Sequence, residues 1–321
     1  MGSGSWSATD YHARVAAVAG GGGDAFAYSA DAHRSGHLRP HQTLDPHGLR
    51  LRESRDNPDH PDSNAVIIGL DVTGSMGAVV RGIHADLPRL HELLLGHRYL
   101  PDPQILFAAV GDATCDRVPL QVGQFESDNR MDQNLENMVL EGGGGGQNTE
   151  SYELTMYLAA RHTATDCYEK RGRKGYLFMI GDELAYPAVS RAEVRRLIGD
   201  HAALEADVPL ERIAAEAAER YHLFFLIPGG ASGGRDPKVR AFWERLLGPG
   251  RVIAIDSPED TSECIGLTIG LTEGVVDPTA AKAQMAGRGV VGRTIDRITG
   301  ALAGLVTTGP TVKPPPGGRR L

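Results

Sequence analysis

The chain has 321 residues, and its 33 lysines and arginines against 41 aspartates and glutamates give a formal net charge of −8. This acidic balance argues against a general binder of nucleic acid or of anionic membranes, because both need a basic surface that displaces counterions; a local basic patch stays open. Apolar residues make up 41% of the chain, which is enough for a sizeable core in one large domain or two modest ones.

The sequence lacks the segments that mark membrane-spanning and secreted proteins. No run of about 18 apolar residues occurs, so no transmembrane helix is expected. The first ten residues lack the basic stretch and the apolar core of a secretory signal. The three cysteines, Cys115, Cys167 and Cys264, are odd in number and far apart, which indicates free thiols in a reducing compartment. We therefore expect a cytoplasmic protein.

Composition and periodicity divide the chain into four stretches. Residues 1–62 are rich in Gly, Pro and His, and apart from a short helix over Tyr11–Ala19 we expect them to be extended or partly disordered. Residues 63–274 alternate strand and helix patterns. Residues 275–307 predict a C-terminal helical extension that packs on the domain or meets a partner. The Pro- and Gly-rich residues 308–321 predict a disordered tail.

The alternating stretch predicts a doubly wound α/β fold. Nearly continuous apolar runs are typical of strands that are buried on both faces of a parallel sheet. The link before the third strand is too short for a helical crossover, so that strand should be antiparallel, and Pro119 favours an edge position for it. Pro88 should break or restart the first helix. The predicted strands are 64–70, 104–110, 118–125, 175–180, 221–227 and 251–255, and the predicted helices are 76–95, 128–140, 150–162, 190–220, 237–247 and 258–271.

These elements predict a mostly parallel six-stranded sheet with one antiparallel edge strand and with helices on both faces, which is a Rossmann-like arrangement. Asp71, Thr73 and Ser75 alternate along a glycine-containing turn directly after the first strand. Asp182 follows the fourth strand. If the chain crosses over between these two strands, Asp71 and Asp182 face one crevice at the carboxyl edge of the sheet.

Further oxygen-bearing side chains follow a glycine run at 142–146, namely Gln147, Asn148 and Thr149. These hard oxygen donors, without His or Cys, favour Mg²⁺, Mn²⁺ or Ca²⁺ over zinc or copper. Two carboxylates and neutral oxygens leave such an ion incompletely satisfied, so it keeps waters that an Asp or Glu from a partner can replace. The sequence therefore predicts a metal-dependent receptor for a carboxylate.

This combination of motifs resembles the von Willebrand factor A-type (vWA) family with its metal-ion-dependent adhesion site (MIDAS). The motifs that carry the resemblance are Asp71-Val-Thr-Gly-Ser, the glycine-rich loop ending in Asn148-Thr-Glu, and Asp182, within residues 64–274. The resemblance implies a doubly wound fold with one antiparallel edge strand, a bound Mg²⁺ and no catalytic activity. It also implies a protein partner that presents an Asp or Glu, such as an AAA+ ATPase or another component of an intracellular bacterial assembly.

The third ligand departs from the family pattern. Family loops often have a Thr that reaches the metal at the position that Gln147 occupies, so either the Gln147 amide oxygen binds the ion or Thr149 replaces it. Glu183 follows Asp182 where the family often has Gly, which adds negative charge beside the ion. The expected metal ligands are Asp71, Thr73, Ser75, Asp182 and either Gln147 or Thr149.

The sequence is also compatible with other interpretations of the Asp71 motif. The motif at Asp71 also resembles the Asp-Lys-Thr-Gly-Thr of haloacid dehalogenase-type phosphotransferases, in which Asp71 would be the nucleophile of a Mg²⁺-dependent phosphatase. Val72 replaces the lysine of that motif, and Thr73 stands where soluble members have an Asp as general acid. The hydroxyls could also cap the following helix without any ion. Asp112, after the second strand, either lies behind the ligands or caps a turn.

Overall fold

Strands and helices alternate along most of the chain in this computed structural model, which describes residues 4–142, 148–202, 204–229, 236–286, 295–296 and 298–300. The helices are α1 (Ala8–Gly20), α2 (Ala27–Ser35), α3 (Gly77–Ala85), α4 (Leu87–His91), α5 (Arg130–Glu136), α6 (Tyr152–Arg161), α7 (Asp166–Glu169), α8 (Arg191–Leu197), α9 (Leu210–Arg220), α10 (Pro237–Leu247), α11 (Thr261–Thr272) and α12 (Pro278–Ala286). The strands are β1 (Arg52–Ser54), β2 (Asn64–Asp71), β3 (Pro103–Val110), β4 (Leu120–Val122), β5 (Thr149–Glu150), β6 (Thr163–Thr165), β7 (Gly175–Ile180), β8 (Leu184–Ala185), β9 (Ala188–Val189), β10 (Val208–Pro209), β11 (Tyr221–Pro228) and β12 (Val252–Ile255).

The central sheet has the strand order β12-β11-β7-β2-β3-β4. Neighbouring strands are parallel except for β3 and β4, which pair antiparallel at one edge. The prediction of an α/β fold with a mostly parallel sheet is therefore confirmed. Strand β4 is shorter than the predicted segment 118–125, and Pro119, which has no N–H to donate, immediately precedes it. Because β3 lies on one side of β2 and β7 on the other, the order reverses between β2 and β7, and this reversal opens a crevice at their carboxyl ends.

Both faces of the sheet are covered by helices because its central strands are apolar on both sides. All eight residues of β2 are buried. On one face, Val66, Ile68 and Leu70 pack with α3, α4 and α11. On the other face, Ala65 and Ile67 pack with α6, α9 and α10. Alternate residues of one strand thus enter two separate apolar layers, which fixes the register of the sheet.

Two predicted helices are divided, each beside a proline. The segment 76–95 forms α3 and α4, and Pro88 lies in the first turn of α4, as the sequence predicts. A π-helical turn, Glu92–Gly96, continues α4. The helical stretches predicted over 190–220 are present as α8 and α9, whereas β10, which separates them, was not predicted. Pro209, whose ring cannot donate a backbone hydrogen bond, lies at this break.

The amino-terminal segment packs on the domain at several points. The side chain of Ser7 caps α1, which begins before the predicted Tyr11–Ala19 helix. Tyr11, Phe26 and Leu44 belong to the same buried cluster as the helices on the first face. In this segment, β1 pairs in parallel with β6.

Beyond α12, the described residues include Ile295 and Ile298, which are buried in the first of the two apolar layers. The predicted tail 308–321 and most of the remaining predicted C-terminal helix lie outside the described residues. None of the helices in the described part of the chain combines the length and the apolar character that crossing a bilayer requires.

Trp243 connects the second apolar layer to the carboxyl edge of the sheet. Its ring is fully buried and stacks on Phe225 at a centroid distance of 3.9 Å, and its Nε1 donates a hydrogen bond to the carbonyl oxygen of Glu183 at 2.9 Å. We predict that Trp243→Leu lowers the free energy of unfolding by about 3 kcal/mol in urea titrations, because it leaves a cavity and an unpaired carbonyl. Phe242→Leu, at the half-buried neighbouring position, is the control and should cost less than about 1 kcal/mol. Equal losses in the two variants would contradict this assignment.

Candidate functional site

Asp71 is the last residue of β2, and its carboxylate is fully buried. Its Oδ1 accepts hydrogen bonds from the backbone N–H of Thr73 at 2.8 Å and from the Thr73 hydroxyl at 2.6 Å. Its Oδ2 accepts a hydrogen bond from the Tyr152 hydroxyl at 2.7 Å. Because the Thr73 hydroxyl gives its proton to Asp71, its two lone pairs stay available to a further partner. The turn therefore holds a carboxylate and a hydroxyl oxygen side by side.

Tyr152 reaches Asp71 because residue 181 is glycine. A Cβ atom at Gly181 would overlap the hydroxyl oxygen of Tyr152. Gly181 directly follows Ile180 of β7, which pairs with Leu70 of β2. Sequence reasoning missed Tyr152 as a partner of Asp71. The signals in the sequence were a tyrosine in the first turn of the helix after the glycine run and a glycine before Asp182, but neither identifies the contact by itself.

Asp182 lies two residues beyond the end of β7, at the carboxyl edge that it shares with Asp71. Asp182 is only 4% exposed. The two carboxylates are near enough that the charge of Asp182 helps to raise the pKa of Asp71. The fold thus brings together the first and the last of the predicted ligands, which are far apart in sequence.

The structure describes only some of the other predicted metal ligands. Thr149 lies in β5 and pairs with Leu184 of β8, so the fold brings it to within two residues of Asp182 along the neighbouring segment. The side chain of Ser75 and the whole of Gln147 lie outside the described residues. The choice between Gln147 and Thr149 as a ligand therefore stays a prediction.

Several further acidic residues surround Asp71. Burial raises the pKa of Asp71 to about 6, although the hydrogen bonds from Thr73 and Tyr152 act in the opposite direction. Burial, followed by the charges of Asp71 and Asp182, raises the pKa of Glu183 to about 7. Burial, followed by the charge of Asp71, raises the pKa of Glu150 to about 10. The charges that act most strongly on these three groups are all carboxylates, so the site is a cluster of acids that keep their protons to higher pH than isolated carboxyl groups do.

Glu150, which belongs to this cluster of acids, has a carboxyl oxygen that makes no hydrogen bond. The residue is 2% exposed, and its Oε2 is buried without a hydrogen-bond partner. A buried carboxyl oxygen in this state is costly, because it has lost its water and gained nothing in return. Burial and the charges of the neighbouring acids together explain the raised pKa of Glu150, and a cation at this edge would compensate both effects.

Asp112 forms a second turn of the same kind at the end of the neighbouring strand β3. Its Oδ1 accepts hydrogen bonds from the N–H of Thr114 at 2.8 Å and from the Thr114 hydroxyl at 2.6 Å. The Tyr186 hydroxyl donates to the same oxygen at 2.9 Å. Burial raises the pKa of Asp112, but the hydrogen bonds outweigh it, and the pKa lies below the ordinary value. Asp112 therefore caps a turn, which was one of the two predicted roles.

The donor set at Asp71 fits a hard divalent cation in its chemistry. In the described residues, no group of three or more His, Cys, Asp or Glu side chains is arranged to hold a metal ion. A cation at this edge would therefore depend on two carboxylates, Asp71 and Asp182, together with neutral oxygens such as the Thr73 hydroxyl. Carboxylate, hydroxyl and carbonyl oxygens of this kind suit Mg²⁺, Ca²⁺ or Mn²⁺.

No protein-family model matches this sequence, and no curated protein matches it either. Among solved structures, the chain is similar to proximal thread matrix protein 1 from the mussel byssus with a zinc-occupied MIDAS motif, at 11% identity and a TM-score of 0.42, covering 68% of this chain and 48% of that one. It is also similar to the pilus adhesin SpaC from Lactobacillus rhamnosus GG, at 10% identity and a TM-score of 0.44, covering 69% of this chain and 31% of that one. The chain thus spans less than half the length of these proteins. At these values the similarities carry no argument about family or function.

The Tyr152 hydrogen bond should stabilise the ionised form of Asp71. We predict that Tyr152→Phe lowers the free energy of unfolding by about 2 kcal/mol at pH 8, because a hydrogen bond to a charged group is lost. The loss should be smaller at pH 5, where Asp71 is protonated, since this bond lowers the pKa of Asp71. Tyr157→Phe, on the same helix, removes a hydrogen bond to the carbonyl oxygen of Ala202 and is the control. Denaturant titrations at both pH values test this, and a pH-independent loss for Tyr152→Phe would contradict it.

The raised pKa of Asp71 also predicts how stability changes with pH in the absence of divalent cations. The folded chain holds the Asp71 proton up to about pH 6, whereas the unfolded chain releases it near the ordinary value of 3.8. The stabilising effect of this proton is therefore present at low pH and is lost as the pH rises through about 6. We predict that, in chelator, Asp71→Asn removes about 2 kcal/mol of the fall in unfolding free energy between pH 4 and pH 7. Parallel pH profiles for the wild type and the variant would contradict the assignment.

Proposed function

We propose that this chain is a vWA-type module that binds a divalent cation, with Mg²⁺ as the first choice, and through it a carboxylate of a protein partner. The observation that carries the proposal is the meeting of Asp71, Thr73 and Asp182 at the carboxyl ends of two neighbouring parallel strands, where the strand order reverses. In this proposal Ser75 and either Gln147 or Thr149 complete the protein ligands.

The layout of the sheet supports the family assignment. The resemblance in sequence implies a doubly wound sheet with one antiparallel edge strand, and β4 occupies that position beside β3. Helices cover both faces. The motif residues also fall at the ends of the strands where a vWA-type site requires them, since Asp71 ends β2 and Asp182 follows β7.

The charge balance supports a cation and an acidic partner. The clustering of acids around Asp71 and the unpartnered Oε2 of Glu150 favour the binding of a cation, which would replace the protons that these acids hold. When bound, the ion supplies a Lewis-acidic position at which a carboxylate from outside can replace water. The acids of the site would repel such a carboxylate without the ion, so the interaction depends on the metal.

Several contacts favour binding over phosphoryl transfer. Both carboxylate oxygens of Asp71 already accept hydrogen bonds, and the residue is fully buried, which hinders attack by Asp71 on a phosphate. We therefore propose no catalytic activity.

The cysteines bear on the compartment in which the module works. Cys115, Cys167 and Cys264 are free thiols, which suits the cytoplasm. A component of an intracellular assembly, such as an AAA+ ATPase, is the proposed kind of partner.

Calorimetric titration with Mn²⁺ and Mg²⁺ tests the proposal. We predict that Asp71→Asn weakens cation binding at least about tenfold, because it removes a charged ligand. Asp112→Asn is the matched control, since it makes the same chemical change in the same kind of turn on the next strand and also removes one nearby negative charge. Its cation affinity should stay within about threefold of the wild type. Equal losses in both variants would assign the effect to net charge and would contradict the ligand role of Asp71.

An assay with p-nitrophenyl phosphate and Mg²⁺ separates the two functions that the sequence left open. The proposal predicts no turnover by the wild-type chain. Turnover that disappears in Asp71→Asn but persists in Asp112→Asn would replace the proposal with the phosphotransferase function.

A further inference from the structure

A cavity of about 260 Å³ lies at the amino ends of β7, β11 and β12, on the edge of the sheet opposite the candidate metal site. Lys174 directly precedes β7, Tyr221 begins β11, and Arg251 directly precedes β12. Helices α9 and α10 complete the walls with Glu211 and Arg245. We call this cavity the amino-edge pocket. None of its residues has a role in the proposed metal site.

The amino-edge pocket has an excess of positive charge in a chain whose net charge is −8. Three permanent cations, Lys174, Arg245 and Arg251, line it together with one carboxylate, Glu211, so that three minus one leaves a charge of +2 among the lining residues. A recess lined by positive charge attracts anions and raises their local concentration.

Arg251 supplies a hydrogen-bond donor that lacks an acceptor. Its Nη1 is buried and has no hydrogen-bond partner. Its guanidinium carbon lies 4.7 Å from the centroid of the Phe224 ring, which holds the side chain in place. Burial lowers the pKa of Arg251, yet the group stays charged at neutral pH. A buried guanidinium donor without an acceptor is costly. Arg251 also lines the pocket, and its other guanidinium donors are the ones that an anion there could contact.

Lys174 and His222 lie close to this donor. The Lys174 Nζ donates a hydrogen bond to the carbonyl oxygen of Ala218 at 2.6 Å, which uses one of its three protons. Burial, followed by the charges of Arg251 and Lys174, lowers the pKa of His222 to about 4, and all three residues line the pocket. A neutral His222 ring can still donate one hydrogen bond to an anion.

One wall of the pocket is apolar. Ala214, Ala218 and Leu246 line it, between the polar groups of the two helices. A ligand that uses the whole pocket therefore has an anionic end and a compact apolar body. The volume of about 260 Å³ limits this body to a few carbon atoms or one ring.

We propose that the amino-edge pocket binds a small organic phosphate monoester, with the phosphate on Arg251 and Lys174 and the organic group against the alanine and leucine wall. A monoester dianion matches the +2 charge of the lining residues, whereas a carboxylate neutralises only half of it. Guanidinium groups also match the geometry of phosphate oxygens. The proposal is independent of the metal site, because it concerns the opposite edge of the sheet.

Calorimetry on the full chain in low salt tests this with phenyl phosphate as the probe and without divalent cations. We expect saturable binding that Arg251→Gln and Lys174→Gln each weaken at least about fivefold, because each removes a charged hydrogen-bond donor. Arg240→Gln is the control, since Arg240 lies on α10 outside the pocket in an exposed ion pair with Glu244. Its affinity should stay within about twofold of the wild type. Thermal unfolding of each variant separates loss of the site from loss of the fold, and the exposed Lys174 provides the test if Arg251→Gln is unstable.

Two further probes test the ligand class. Inorganic phosphate should bind at least about threefold more weakly than phenyl phosphate, because it leaves the apolar wall uncovered. Benzoate should also bind at least about threefold more weakly, because it carries one charge instead of two. The proposal is overturned by the absence of saturation with phenyl phosphate up to about 10 mM, by an equal loss of affinity in Arg240→Gln, or by benzoate binding as tightly as phenyl phosphate.

Discussion

The desolvation of the Asp71 carboxylate is the constraint around which the carboxyl edge of the sheet is organised. A buried carboxylate needs hydrogen bonds or an opposite charge, since burial removes its water. Asp71 receives three hydrogen bonds, from Thr73 and Tyr152, but its charged neighbours are acids such as Asp182. Gly181 has no Cβ atom, which leaves room for the Tyr152 hydroxyl that donates one of these hydrogen bonds. The local structure therefore reduces the cost of the charge without cancelling it, and a cation is the group that would complete the compensation.

Two turns with the same local hydrogen bonds differ in the pKa of their aspartate, which shows that the surroundings of each turn decide that pKa. Asp71 and Asp112 each accept hydrogen bonds from a threonine N–H and hydroxyl two residues on, at the same distances. Burial dominates at Asp71 and raises its pKa, whereas hydrogen bonds outweigh burial at Asp112 and lower its pKa. The Asp-x-Thr pattern therefore marks a turn, and only the site where the charge remains poorly compensated is a good candidate for binding an ion.

Side chains of opposite charge lie at the two ends of β7 and its neighbouring strands. Asp71, Asp182 and Glu183 gather at the carboxyl ends of the strands, whereas Lys174 and Arg251 stand at the amino ends. A parallel sheet makes this separation possible, because every strand except the antiparallel edge strand presents the same end to the same side. The two proposals thus concern a cation at one edge and an anion at the other, and each can fail separately.

The sequence by itself determined the six strands of the central sheet and the fold class. Unbroken apolar runs indicated buried strands, Pro88 marked the start of α4, and the short link before β4 required an antiparallel strand. Each of these follows from the periodicity or stereochemistry of neighbouring residues. The sequence also placed Asp71 and Asp182 at strand ends, because a polar residue after an apolar run marks the point where the strand leaves the core.

Only the tertiary structure decided which groups meet. Tyr152 contacts Asp71, and the charges of Arg251 and Lys174 both act on His222, although these residues are far apart in the chain. The Nη1 of Arg251 is buried without a hydrogen-bond partner, which the sequence does not reveal either. Burial and the resulting pKa values depend on which strands are neighbours in the sheet. Local sequence patterns carry no information about the distances between side chains on different strands. The physical reason is that desolvation and Coulomb interactions act through space, whereas helical and strand periodicity acts along the chain.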